Sequence, residues 1–221
     1  MAHDLKLASA SPRRSDLLQL TGLSVEILPS EIEEILDDGE EPLAFARRLA
    51  LQKARKAVEK SGQKGLIIAA DTIVLDGDRV LGKPKDEEHA EQMLLHLRGR
   101  NHTVITAIAI IDVASGGETV DHCVTEVPMR NSSREEIRTY VATGDPLDKA
   151  GAYAIQNIDF KPVIAEDMQG CYANVMGLPL CHLTRTLRKF GVHPKNDVVQ
   201  QCREYTNYDC QVYPAILNST Q

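Results

Sequence analysis

Tryptophan is absent from this 221-residue chain, and aromatic residues make up only 4% of it. The interior must therefore be built from Leu, Ile, Val and Ala, and the 43% hydrophobic content suffices for one sizeable core, with room for two lobes. No apolar run approaches the ~20 residues that span a bilayer. The start, Met1-Ala2-His3-Asp4-Leu5-Lys6, has no basic segment leading into an apolar stretch, so it does not read as a secretory signal. Both absences point to a cytoplasmic protein with no membrane partner. Basic charge is in deficit, with 25 Lys and Arg against 32 Asp and Glu and a formal net charge of -7. That balance argues against nucleic acid as a partner, and any phosphate chemistry needs a locally basic pocket. Cysteine is sparse too: five residues, at 123, 171, 181, 202 and 210, scattered and odd in number. This suits reduced thiols. Cys181-His182 with Cys202 and Cys210 lacks the C-x2-C spacing of a zinc site. Repeats, low-complexity tracts and Pro/Gly/Ser-rich linkers are missing.

What is present is a mixture of strands and helices. Residues 5–9 read as a short buried strand that enters a helix, with Ser11 as cap and Pro12 at the first helical position. Residues 24–28 form a second strand, and apolar spacing predicts a long helix over 42–60. Residues 66–75 read as a β-branched strand interrupted at Asp71-Thr72, and Asp76-Gly77-Asp78 turns it into a hairpin partner at 79–81. A helix over 86–97, long strands over 102–113 and 118–129 joined at Ser115-Gly116-Gly117, and a helix over 133–143 follow. Short strands are expected near 160–165 and 172–175, then a terminal helix over 178–190. Residues 193–221 are polar and weakly patterned. Hairpins mixed with helices predict an α/β fold of mixed α+β type: a long twisted mixed sheet flanked by helices, with an active-site cleft.

Several segments carry candidate chemistry. Ser9-Ala10-Ser11-Pro12-Arg13-Arg14 lies between a strand and a helix start, where free N–H groups, the helix dipole and two guanidinium groups favour a phosphate. Asp71 sits inside an apolar strand, which is costly unless it is paired, hydrogen-bonded or metal-bound; it reads either as a turn cap or as a metal ligand or general base. Lys53 lies near the small-residue face of its helix, either snorkelling or directed into a cleft. Gly82-Lys83-Pro84-Lys85 presents a lysine on a proline-restrained loop, and residues 145–156 form an irregular segment containing Asp145, Asp148, Lys149 and Gln156. Glu33-Glu34 can supply a metal carboxylate. Together these cations and carboxylates suit a metal-bound triphosphate.

Leu7-Ala8-Ser9-Ala10-Ser11-Pro12-Arg13-Arg14, Lys53-Ala54, Ala70-Asp71-Thr72, Gly82-Lys83-Pro84, Asp148-Lys149-Ala150-Gly151-Ala152-Tyr153 and Gly177-Leu178-Pro179-Leu180, in this order, resemble the Maf family. The resemblance runs from about residue 5 to 190. It implies a Maf-like nucleotide pyrophosphatase domain over 1–190, with a fold related to inosine triphosphatases, and a C-terminal tail over 191–221 of unknown role. It further implies a homodimer that needs magnesium, manganese or cobalt, and links to septum formation and to removal of unwanted nucleotides. By motif, Asp71 is the proton acceptor, with Lys53 and Lys83 beside it in the catalytic set; Ser9, Arg13, Arg14 and Lys149 bind substrate phosphates. Glu34 and Asp71 are the metal ligands, and Glu126 falls at a further family motif without a defined role.

Arg13, Thr72 and Gln156 match the specificity positions of the branch resembling dTTP/UTP pyrophosphatases rather than the branch acting on 7-methyl-GTP. A glutamine amide can pair with both the donor and the acceptor edge of uracil or thymine. The chain departs from the family at residues 129–133, where Met129-Arg130-Asn131-Ser132-Ser133 replaces an aromatic-containing strand end, at Asn157-Ile158-Asp159, which replaces a glycine after Gln156, and in the tail. The expected reaction is hydrolysis of dTTP and UTP, modified pyrimidine nucleotides included, to the monophosphate and pyrophosphate. The alternatives are a nucleotide-binding regulator of cell division without significant turnover, or a phosphatase releasing orthophosphate.

Overall fold

The structure is a computed structural model that describes residues 4–62 and 64–219. The amino-terminal reading at Met1-Ala2-His3 and the last two residues of the tail lie outside the described residues. Strand β1 (Leu5–Leu7) leads through helix α1 (Pro12–Gln19) to β2 (Val25–Ile27), which pairs parallel to β1. Helix α2 (Pro42–Val58) then carries the chain to β3 (Leu66–Asp76), parallel to β1 on its other side. From there pairing turns antiparallel. β4 (Arg79–Leu81) folds back on the end of β3; after helix α3 (Glu87–Leu97), β5 (Asn101–Asp112) runs against β3, and β6 (Glu118–Pro128) against β5. The outcome is a six-stranded mixed sheet of order β2-β1-β3-β5-β6, with β4 beside β3.

The period of two sorts β3 and β5 between two cores. Ile67, Ala69, Ile73 and Leu75 share one face with Ile105, Ala107 and Ala109, under the α2 side chains Phe45, Ala46, Leu49 and Ala50. Ile68, Ala70 and Val74 share the other with Val104, Ile108 and Ile110. The stripe of fully buried alanines on α2 (Ala46, Ala50, Ala54 and Ala57) lets that helix lie close to the sheet. Helix α4 (Arg134–Val141) opens on a capping box between Ser133 and Glu136. Short 3-10 turns at Asp145–Asp148, Ala150–Ala152 and Ala165–Asp167 lead to α5 (Tyr172–Met176) and α6 (Leu180–Arg188).

Three expectations need correction. β3 is not interrupted at Asp71-Thr72: both residues stay in the ladder, opposite Ala107 and Thr106, because each side chain finds polar partners within the fold. The segment near 172–175 is the helix α5, closed by Gly177 in the left-handed region (φ 109°). The segment near 160–165 contributes only a single bridge, Met129 to Val163. The weakly patterned tail is helical: it forms α7 (Val198–Thr206), capped by Asp197, and α8 (Tyr213–Leu217).

The tail also packs on the body. Val198 is buried, Tyr208 Oη donates to the Met168 carbonyl at 2.6 Å, and Arg185 reaches Ser219 at 2.7 Å. Four of the cysteines, Cys171, Cys181, Cys202 and Cys210, line a cavity of about 20 Å³ at this seam. All five are free thiols, and burial raises Cys181 and Cys202 above their ordinary value, the latter to about 12. Among the described residues no group of three or more His, Cys, Asp or Glu is arranged to hold a metal ion. Ending the chain at residue 192 is expected to cost about 2–3 kcal/mol, since it removes buried Val198, worth about 1.5–3 kcal/mol, and the partly buried Cys202, Tyr208 and Val212. Turnover by the folded fraction is expected to persist, because the tail carries none of the site residues described below. Thermal unfolding and a turnover assay on the shortened chain check both statements; an unchanged melting temperature would show that the tail does not support the core.

Two buried histidines set an acid limit. Burial lowers His102, which sits against Tyr153 Oη at 2.8 Å, to about 4, and does the same to His182. In the unfolded chain they titrate near 6.5, so the fold favours the neutral form. That contribution is full above about pH 6.5 and is lost as the pH falls towards 4, at about 1.4 kcal/mol per pH unit for each histidine. A urea midpoint that falls steadily from pH 6.5 to 4.5 is the expected result, and a flat midpoint would refute it.

Candidate active site

Asp71 is 3% exposed in the middle of β3 and points to the α2 face. Its Oδ1 accepts from Lys53 Nζ at 2.5 Å, and the same ammonium donates to Glu34 Oε1 at 2.6 Å. Lys53 follows Ala46 and Ala50 along the sheet-facing stripe of α2, so the small residues before it leave room for the ammonium to reach the strand. A buried carboxylate is tolerable because this cation compensates it. Glu34 comes from the loop after β2, and Ser30 anchors that loop by donating to the Lys53 carbonyl at 2.9 Å. Burial opposes ionisation of Glu34. The Lys53 hydrogen bond and the charges of Lys53, Lys83 and Arg14 outweigh it and hold the carboxyl below its ordinary value.

One residue further along β3 the chain faces the other way. Thr72 Oγ1 accepts from Arg14 Nη2 at 3.0 Å and lies 3.0 Å from Thr106 Oγ1, its partner across the ladder. Arg14 also donates from Nε to the Gly177 carbonyl at 2.9 Å and from Nη1 to Ser9 Oγ at 3.3 Å. Burial lowers its pKa against the attraction of Asp71, yet an arginine remains charged at any working pH. Ser9 is buried and also accepts from the Ser11 N–H at 3.2 Å, which fixes the bend into α1. Ser11 occupies the cap position, but its side chain makes no capping bond. The start of α1 therefore presents its dipole beside a guanidinium clamped in three directions.

The remaining cations differ in freedom. Lys83 is exposed on a loop pinned by buried Pro84 and by the Gly151 N–H, which donates to the Gly82 carbonyl at 3.2 Å. Arg13 is partly exposed at the first turn of α1, and its charge acts on Tyr140. Lys149 is different. It is buried, and its ammonium donates to the Asp145 carbonyl, to Asp145 Oδ1 at 2.9 Å and to Asp148 Oδ1 at 2.6 Å. Its donors are all engaged within the chain, and these contacts anchor its loop. Gln156 is partly buried, and its Oε1 is sealed from solvent with no hydrogen-bond partner among the described residues. An unpaired buried acceptor costs about 1–3 kcal/mol. Glu126 lies apart on β6, exposed and accepting from Thr103 Oγ1 at 2.5 Å.

The structure thus brings Glu34, Lys53 and Asp71 together, sets Arg14, Thr72 and Ser9 on the adjoining edge, and holds Lys83 near enough for its charge to act on Glu34. Sequence reasoning missed Thr106, Asn174 and Gly177 as supports. Thr106 donates to the Asn174 carbonyl at 2.9 Å, and Asn174 ties β5 to β6 through Val104 and Thr125. At Gly177 a Cβ would stand 3.2 Å from Thr72 Oγ1 and 3.3 Å from Arg14 Nε, so the glycine is needed for both its backbone and its close approach. Gly177 was visible in the sequence only as the first residue of the Gly177-Leu178-Pro179-Leu180 motif. The buried threonine had no such signal.

The sequence model of the Maf family, described as Maf-like protein, matches residues 4–190. A protein from Desulforamulus reducens named dTTP/UTP pyrophosphatase is 44% identical over 186 residues, covering 84% of this chain and 96% of its own. One of the same name from Dehalococcoides mccartyi is 40% identical over 218 residues, covering 98% of this chain, tail included, and 95% of its own. Among solved structures, the nucleoside-triphosphatase / dITP/XTP pyrophosphatase of Mycobacterium abscessus aligns with a TM-score of 0.45 at 14% identity, over 98% of this chain and 100% of that one. With the family model spanning most of its length and relatives above 40% identity across it, this chain belongs to the Maf family.

Proposed function

We propose that this chain hydrolyses dTTP and UTP to the nucleoside monophosphate and pyrophosphate. Membership of the family and the names of its relatives support the reaction class. The observation that carries it is the buried Asp71 carboxylate, held by the ammonium that also holds Glu34, at the edge of a cationic cleft. Asp71 accepts the proton of the attacking water. Arg14, Arg13 and Lys83 neutralise the triphosphate and the charge that grows on the departing pyrophosphate. Lys53 sets the position of both carboxylates. Glu34 and Asp71 are hard oxygen donors brought to one point, a set that fits magnesium, manganese or cobalt. Such ions are held by one or two carboxylates together with substrate phosphate oxygens. That ion would supply Lewis-acid polarisation of the phosphate. A homodimer in the cytoplasm belongs to the same proposal through the family resemblance.

For the base, the Gln156 amide pairs its acceptor with the N3–H of uracil or thymine and its N–H donors with O4, the side chain turning its buried oxygen towards the ligand to do so. A panel of dTTP, UTP, CTP, ATP and GTP with magnesium, assayed for both pyrophosphate and orthophosphate, tests the whole reading. Pyrophosphate and monophosphate in equal amounts, fastest from dTTP and UTP, is the expected result. Orthophosphate as first product, or tight binding without turnover, overturns it. Gln156→Glu is expected to lower the dTTP-to-GTP ratio of kcat/KM by about tenfold, the worth of one mispaired buried group.

A further inference from the structure

We infer that Tyr140 and Asp145 are specificity-positioning residues: their shared hydrogen-bond network holds the Gln156 segment in the conformation that reads the base. The inference rests on the base-reading role proposed for Gln156. Tyr140 Oη donates to Asp145 Oδ2 at 2.6 Å and accepts from the Ala154 N–H at 3.1 Å. Asn157 Nδ2 reaches the same Asp145 oxygen at 3.4 Å, and Asn157 Oδ1 caps the turn that follows by accepting from the Phe160 N–H at 2.8 Å. Gln156 is therefore bracketed at 154 and 157 by groups that end on one carboxylate. The other oxygen of that carboxylate holds Lys149, which secures the preceding loop and, through Gly151, the Lys83 loop.

Two further features fit a positioning role. The Tyr140 ring stacks on Phe160 at 4.3 Å and 12°, so the phenol is fixed on both sides of the segment it orients. Burial and the neighbouring Asp145 raise the Tyr140 phenol well above its ordinary value, which keeps it a hydrogen-bond donor to the carboxylate. Arg13, at the start of α1, lies close enough for its charge to act on the same phenol. The Asn157-Ile158-Asp159 departure from the family glycine thus adds a tie to the network.

The test is base selectivity in Tyr140→Phe, which keeps the ring stack and removes only the hydroxyl, and in Asp145→Asn, which removes the charge but not the shape. For Tyr140→Phe, kcat/KM for dTTP and UTP is expected to fall about tenfold, mostly through KM, with ATP and GTP within about twofold of wild type, as expected for one lost hydrogen-bonding group. Asp145→Asn, which also takes the counter-charge from Lys149, is expected to slow every triphosphate, and dTTP and UTP about tenfold more than ATP and GTP. The dTTP-to-GTP ratio drops accordingly. A wild type that prefers pyrimidines while both variants keep its ratio overturns this inference alone, whether or not all rates fall together. A wild type without pyrimidine preference overturns the base-reading role and this inference with it. If no triphosphate is turned over, calorimetric binding of dTMP against GMP to wild type and Tyr140→Phe decides the point in the same way.

Discussion

Asp71→Asn is expected to reduce kcat by about 10³-fold while the chain stays folded, within the ~10²–10⁴ that a positioned general base contributes. The substitution keeps the shape of the side chain and an oxygen that can still accept from Lys53, but it removes the site for the proton. Stability should move little by comparison. The carboxylate is 3% exposed and paired with Lys53; the neutral amide costs less to bury and keeps a hydrogen bond to Lys53, whose charge retains Glu34 as its partner. Measuring kcat with dTTP alongside thermal unfolding separates the two effects. Turnover within tenfold of wild type in a folded variant would remove Asp71 from the chemistry and leave it as a buried structural carboxylate.

Lys53→Met is expected to be damaging in both respects. It leaves Asp71 buried without its cation and facing Glu34, to which the same ammonium was bonded. Removing one partner of a buried ion pair costs about 3–5 kcal/mol, and loss of the positioning cation is expected to lower kcat/KM by about 10²–10³-fold. The pH dependence of stability supplies an independent check. With the ammonium gone, protonating a carboxyl relieves the site, so the variant's deficit should shrink as the pH falls towards 4, whereas wild type loses stability over the same range through its buried histidines. A deficit that is constant with pH would mean that Lys53 supports the fold through its packed stem alone and not through its charge.

The readings differ in how far local pattern could carry them. The turn at Asp76-Gly77-Asp78, the helix entry at Pro12 and the long helix from Pro42 were legible because turn residues, proline and a helical apolar period act locally. Residues 172–176 misled, since Tyr172 and Val175 favour strands while burial against the sheet and Gly177 make a helix there. The tail hid its helices for a related reason. Val198, Cys202, Tyr208 and Val212 are spaced too irregularly to show a face, and they find one only against a body already folded.

The amino-acid sequence by itself determined which groups are available: one carboxylate in an apolar strand, two arginines at a helix start, a lysine among alanines, a loop lysine and a glutamine. It also determined the family, because motif order survives without any knowledge of contacts. Only the tertiary structure decided which of these groups meet. It turned Lys53 into the bridge between Glu34 and Asp71, since a 3.6-residue period on α2 and a two-residue period on β3 come into register only when helix and sheet pack. It closed Arg14 on Gly177, which lies 163 residues away in the chain. It spent every donor of Lys149 within its own loop while leaving Gln156 with a buried oxygen unpaired. Hydrogen-bond satisfaction depends on what burial brings within about 3 Å, and no spacing along a chain encodes that distance.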